Sequence, residues 1–168
     1  EFIINKKDSM VSNLKQSISN ALTGLEGEGL SIEKRNGKVY VSLEEDLLFA
    51  SGEYRVNASG VVALKKLAVA LSSQKELEIL VEGHTDSIPL SGKGFLSDNW
   101  DLSVMRATHV VKVLIKNSTL NPFQLTAAGR AEFSPISSNI TIEGRSSNRR
   151  IEIILSPNLD DVFKLLEE

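Results

Sequence analysis

The chain has 168 residues, 41% of them hydrophobic and 24% charged, which is enough for one full core with a small appendage. A net charge of −3 argues against nucleic acid as a partner, because that function normally needs a basic face. The absence of cysteine excludes a disulfide framework, a thiolate nucleophile and a Cys-ligated metal. No apolar run approaches the roughly 18–20 residues that span a bilayer. The opening Glu1-Phe2-Ile3-Ile4-Asn5-Lys6-Lys7 lacks a signal peptide's order of parts, and the chain begins without Met. It therefore reads as a fragment, with any membrane anchor or export signal expected upstream.

From Ser9 onward, Met10, Leu14, Ile18 and Ala21 or Leu22 recur at helical spacing, with Asp8 or Ser9 as cap and Gly24 as terminator. This predicts an amphipathic helix over part of residues 1–28, packed on the domain or leading from an anchor. Leu30-Ser31-Ile32-Glu33 and Val39-Tyr40-Val41-Ser42-Leu43 flank Asn36-Gly37, whose tolerance of positive φ predicts a hairpin. A short apolar piece, Leu47 to Gly52, follows. Asn57 then precedes a helix with Val61, Leu64, Leu67, Ala68 and Leu71 on one stripe. Leu77, Ile79 and Val81 alternate with glutamates in a strand that should end at Gly83, completing a strand, helix, strand unit. If its two strands are parallel, the crossover should be right-handed.

The stretch Ser87 to Asn99 contains Pro89, Gly92 and Gly94 and predicts an irregular surface loop. A second main helix is expected over about Val104 to Lys116, with Ser103 as cap and Arg106 in its first turn. Gln124 to Ala128 reads as a fourth strand. Arg130 to Asn148 reads as irregular, and Arg149 to Leu155 as the last strand. Ser156-Pro157 is expected to cap and start a terminal helix carrying Leu159, Val162, Phe163 and Leu166 over 157–168.

Asp86 and Arg106 are thereby delivered to a strand tip and a helix start. An amino-acid end group presents an ammonium and a carboxylate a few ångströms apart, so its receptor needs an anionic acceptor and a planar bidentate donor. Asp86 and Arg106 fit those roles. The cation in a first helical turn is unfavourable for the helix itself, and a bound carboxylate would reverse that. The same pair could instead form a salt bridge that ties loop to helix.

Gly83-His84-Thr85-Asp86, then Asn99-Trp100-Asp101-Leu102-Ser103 with Arg106-Ala107, then Glu143-Gly144-Arg145 with Asn148-Arg149-Arg150, resemble in order the signature blocks of the OmpA-like peptidoglycan-binding domain. The resemblance runs over about Leu47 to Leu155. The Ser-Asp-Asn-Trp-Asp-Leu-Ser form and Ile88-Pro89 are closer to the MotB branch, the stator proteins of the flagellar motor. It implies an α/β fold: a βαβαβ two-layer sandwich, with a mixed sheet and helices packed on one face, over 29–156, plus N- and C-terminal helices.

It also implies binding of the diaminopimelate in the peptide stem of peptidoglycan, with Asp86 and Arg106 as principal contacts. Asn99 matches a ligand-contacting position, with a loop-closing Asx turn as the alternative. Thr85 and Leu102 would line the pocket. Of the arginine pair, only one can easily face the site; Arg149 is assigned to it and Arg150 to structural pairing. Asp86 and Arg106 lie 20 positions apart, a longer spacing than the porin type, so the loop Ile88 to Asp98 could cover the pocket. Gly52 stands where relatives place a polar contact.

A hydrolase built on His84, Asp86 and Ser87 is unattractive: no Gly-x-Ser-x-Gly elbow is present, and neighbours at one strand tip rarely give triad geometry. His84 is expected to pack at the strand end and donate to a backbone carbonyl. With His109 the only other histidine, no metal and no cofactor is expected. The resemblance thus implies a non-enzymatic, periplasmic, envelope-associated module that binds peptidoglycan and tethers an envelope or stator protein to the wall. Membrane attachment would come through an upstream segment, and a homodimer is possible. The alternative is a protein-interaction module without peptidoglycan binding, marked by an exposed apolar patch on the N- or C-terminal helix.

Overall fold

The computed structural model describes residues 1–92 and 94–167, without the side chains of Asp161 and Val162. Lys93 in the long loop, the Val162 side chain and Glu168 therefore lie outside the described residues. Helix α1 (Phe2–Ala21) starts well before Ser9 and buries Val11, Leu14, Ile18 and, just past its end, Leu22. Val11 rather than the half-buried Met10 lies on the inner stripe, because that places all four at helical repeats on one line. Strands β1 (Leu30–Arg35) and β2 (Lys38–Glu44) form the hairpin, and Asn36 and Gly37 adopt φ of 52° and 72° as its two-residue turn requires.

The apolar piece that follows is a single helical turn, α2 (Glu45–Leu48). Helix α3 (Ala58–Leu71) is capped by Asn57, whose side chain accepts from the Gly60 N–H at 2.7 Å. Next come β3 (Leu77–His84), α4 (Asn99–Lys116), β4 (Leu125–Gly129), α5 (Ile142–Asn148), β5 (Arg150–Pro157) and α6 (Asp160–Lys164). The sheet order is β1-β2-β5-β3-β4. The last strand inserts between β2 and β3 and is antiparallel to both, so β2 and β3 run parallel without touching; β3 and β4 are adjacent and parallel. This is the mixed sheet expected, with helices on one face.

One core joins the layers. Val39, Val41, Leu43, Ile79, Val81, Ile151, Ile153 and Leu155 point from the sheet to Leu64, Leu67, Val110 and Leu114. Val11, Leu14 and Ile18 belong to the same cluster, so α1 is packed on the domain. No helix among the described residues is long and apolar enough to cross a membrane.

Three further boundaries differ from expectation. Helix α4 begins at Asn99, not near Val104: Asp98 caps it by accepting from the Asp101 N–H at 2.9 Å, while the Asp101 carboxylate reaches back to the N–H and hydroxyl of Ser97 at 2.8 and 2.7 Å. This reciprocal N-terminal cap, with Asp101 reaching back to the residue before the N-cap, puts Ser103 and Arg106 inside the helix. Arg106 is therefore beyond the first turn, and the helix-dipole argument for a bound carboxylate falls away. Second, α5 occupies part of the stretch read as irregular. Thr141 caps it, accepting from the Gly144 N–H at 3.0 Å, but seven residues ending Ser-Ser-Asn carry little helical signal. Third, Ser156-Pro157 starts no helix; Pro157 ends β5 opposite Leu77, beyond the last pair with β2, where a missing N–H is tolerated.

Glycine sets how α4 meets the sheet. A Cβ on Gly83 would lie 2.1 Å from the Ser103 carbonyl oxygen, and one on Gly129 would lie 2.5 Å from the Ser103 hydroxyl. The helix thus rides directly on the ends of β3 and β4. The Ser103 hydroxyl fastens it there, accepting from the Ala131 N–H at 3.1 Å.

Candidate ligand site at the end of the central strands

Past β3 the chain turns through Thr85 and Asp86. The Thr85 N–H donates to Ala131 O at 2.9 Å and its hydroxyl to Asp86 O at 2.8 Å. One Asp86 carboxylate oxygen accepts from the Ile88 N–H at 2.9 Å, which fixes the turn. The other accepts from Arg149 Nη1 at 2.8 Å. From there the charges alternate. Arg149 Nε lies 2.5 Å from one oxygen of Glu45, and the other oxygen accepts from Arg106 Nη2 at 2.7 Å. Arg106 Nε donates to the backbone oxygen of Glu53 at 2.8 Å, and its guanidinium lies 4.7 Å from the Phe49 ring centre.

Asp86, Arg149, Glu45 and Arg106 are thus one linked row from four separate segments. The expected direct alternative, an Asp86–Arg106 salt bridge, is not what forms: Arg149 and Glu45 stand between them. Asp86, Glu45 and Arg106 are buried, while Arg149 is the most accessible of the four, its side chain 28% exposed. Burial works against the charge on Arg149, but its bonds to Asp86 and Glu45 outweigh that and push its pKa up. Nη1 of Arg106 and Nη2 of Arg149 make no hydrogen bond among the described residues. The row therefore keeps guanidinium donors in reserve.

The remaining expected site residues, Leu102 and Asn99, lie on α4, the helix that carries Arg106. Leu102 is buried on α4. Asn99 is neither an Asx turn nor an open contact: its amide nitrogen donates to Ile88 O at 3.0 Å, to Glu132 at 2.8 Å and weakly to Asp86 O at 3.4 Å, tying the loop to the helix start. The loop is also held by Tyr54 edge-on to Phe95 and by buried Leu96. A cavity of about 210 Å³ lies between loop and helix, lined by residues that include Pro89, Asn99, Trp100 and Glu132. Gly52 has open space around it, and the neighbouring Glu53 supplies only backbone to Arg106.

Sequence reasoning missed Glu45 and Glu132. The signal for Glu45 was the acidic run Glu44-Glu45-Asp46 directly after a predicted strand. Its partner became visible only through the pairing of β2 with β5, which sets the Glu45 N–H 2.9 Å from Arg149 O.

A second charged group lies on the helix-free face. Arg150 donates to Glu152 at 2.9 Å and to the backbone oxygens of Asn148 and Ser134. Among the described residues His84 makes no bond to a backbone carbonyl, contrary to expectation, because strand alternation turns it to the face that carries Glu82 and Glu152. Its Nε2 lies 2.8 Å from Glu82 but poorly aligned, and neither ring nitrogen completes a hydrogen bond among the described residues. His84 and Asp86 thus engage different partners, and no triad assembles. Glu82, His84 and Glu152 bring ligand-type atoms within 4.8 Å of one another. Arg150 on Glu152, with Arg130 acting on Glu82 from nearby, already compensates both carboxylates, which disfavours a dication there.

The profile described as the OmpA family matches residues 48–149. Motility protein B of Bacillus subtilis is 36% identical over 117 residues, covering 70% of this chain and 44% of that protein; the chain spans about half the length of such relatives or less. A cell wall anchor of the T6SS from Pseudomonas aeruginosa superposes with a TM-score of 0.75 at 30% identity, covering 84% of this chain and 97% of that one. The periplasmic domain of Helicobacter pylori MotB gives 0.73 at 29% identity, covering 86% and 89%. These similarities place the chain among periplasmic, envelope-associated domains, on the MotB side, and indicate no catalytic family. The chain belongs to the OmpA family.

Proposed function

We propose that this domain holds peptidoglycan non-covalently through the diaminopimelate of its peptide stem, and so tethers an envelope or motor-stator protein to the cell wall. The observation that carries the reading is the convergence of the Asp86 carboxylate with two guanidiniums that retain unfilled donors. A zwitterionic end group complements that set: its ammonium toward Asp86, its carboxylate on Arg106 and Arg149. The printed description of the T6SS neighbour as a cell wall anchor supports the same reading. One such end group gives modest affinity, about micromolar or weaker. Avidity from a homodimer or from many wall sites would supply the rest.

Pull-down on isolated cell walls tests this. Asp86→Ala and Arg106→Ala should each lower the bound fraction at least about tenfold, corresponding to about 1.4 kcal/mol. Binding unchanged in both, with folding intact by circular dichroism, would remove the pocket from the account. The alternative of a protein-interaction module draws on one observation: Phe163, Leu165 and Leu166 at the C-terminal end are 49%, 63% and 54% exposed. On helix α1, Val11, Leu14 and Ile18 are buried, and the exposed large apolar side chains are Phe2 and Ile4 at its start, at 61% and 65%.

A further inference from the structure

We infer that Glu45 is the specificity-determining residue of this site, selecting a zwitterion over a simple carboxylate. The inference rests on the zwitterion reading above and adds to it a residue with a defined electrostatic task. Glu45 is 7% exposed and held at both ends: its N–H donates to Arg149 O at 2.9 Å, and its carboxylate spans Arg149 and Arg106 at 2.5 and 2.7 Å. It takes up one donor from each guanidinium, the place an incoming carboxylate would otherwise fill first.

The consequence follows from counting charge along the row. Asp86 and Glu45 are anionic, Arg106 and Arg149 cationic, so the four linked groups sum to zero. A ligand end with both ammonium and carboxylate adds no net charge to a largely buried cluster. A carboxylate without the ammonium adds one negative charge beside two existing carboxylates, where low dielectric makes repulsion costly. Peptide stems present several simple carboxylates, so rejection of these matters as much as attraction of the right end. Were Glu45 neutral, the row would carry a net positive charge, and any carboxylate would be welcome.

Glu45→Gln keeps the shape and removes the charge; Glu45→Asp keeps the charge. The measurement is calorimetric affinity for meso-diaminopimelate and for pimelate, the same carbon chain without ammonium groups. The native chain should prefer diaminopimelate by at least about tenfold. That preference should fall about tenfold in Glu45→Gln, chiefly through a gain for pimelate, and return in Glu45→Asp. A purely structural Glu45 would weaken both ligands alike and leave their ratio unchanged; that result, with folding verified by thermal melt, overturns the inference while leaving the wall-binding reading intact. If the native chain binds neither ligand, both readings fall together. Loss of diaminopimelate binding in Asp86→Asn, with an unaltered ratio in Glu45→Gln, would sink the role of Glu45 alone.

Discussion

Two charged groups flank the end of β3, and they are built differently. On the helix-free face, Glu82, His84, Arg150 and Glu152 occupy alternate positions of two paired strands, with Glu82 opposite Glu152 and His84 opposite Arg150. Around the tip, Asp86, Arg149, Glu45 and Arg106 come from a turn, a helix end, a single helical turn and a long helix. Register alone fixes the first group, and every donor of the Arg150 guanidinium group named by its bonds ends on this chain's own oxygens. The second depends on the docking of several elements and keeps donors unfilled. The contrast lies in the guanidiniums: that of Arg150 is filled by the chain's own oxygens, whereas those of Arg106 and Arg149 keep donors unfilled beside one accessible member, which is what the proposed ligand contact requires.

The largest expected effect belongs to the strand-face group. Arg150→Met should lower stability by about 3–5 kcal/mol in urea unfolding, because it strands the Glu152 carboxylate among buried neighbours. Wall binding per folded molecule should stay near native. A large binding loss at full folding would erase the distinction between the groups.

Gly83→Ala attacks the docking on which only the second group depends. The added Cβ meets backbone at 2.1 Å, so α4 must shift, at a cost of about 2–3 kcal/mol. Diaminopimelate affinity should fall with it, since Arg106 travels on α4. Unchanged affinity would show that the site tolerates movement of its helix.

The smallest effect is a pH dependence. Contact with His84, aided by Arg130 and Arg150 and opposed by burial, holds the Glu82 carboxyl below its ordinary 4.5. A lowered folded pKa contributes stability above the unfolded value, lost as pH falls from about 4.5 through the folded value. Glu82→Gln should flatten that part of the acid branch of an unfolding-versus-pH curve. An identical slope would deny the contact any electrostatic part.

What the sequence made legible follows the same divide. Period-two alternation in Leu77 to Val81 and in Ile151 to Leu155 and the Asn36-Gly37 turn are local signals, and each appears as a strand or hairpin. The start of α4 was also local, in the Ser97, Asp98 and Asp101 side chains that cap it, but the nearby Ser103 offered a competing cap. Asp86, Arg106 and Arg149 were legible as residues through their motifs. Their connectivity was not, because Glu45 meets Arg149 only after β5 inserts beside β2, and no periodicity encodes that insertion. Asn99 was assigned to ligand contact from its motif position; its bonds to the Asp86–Ile88 turn and to Glu132 were not legible there.

Side-chain and backbone NMR of the chain titrated with meso-diaminopimelate addresses the second group itself. Saturable shifts should appear at Asp86, Arg149 and the Arg106 Nε–H, and vanish in Asp86→Asn while the rest of the spectrum stays native. Shifts that avoid these residues, or that persist in the variant, would contradict the clamp.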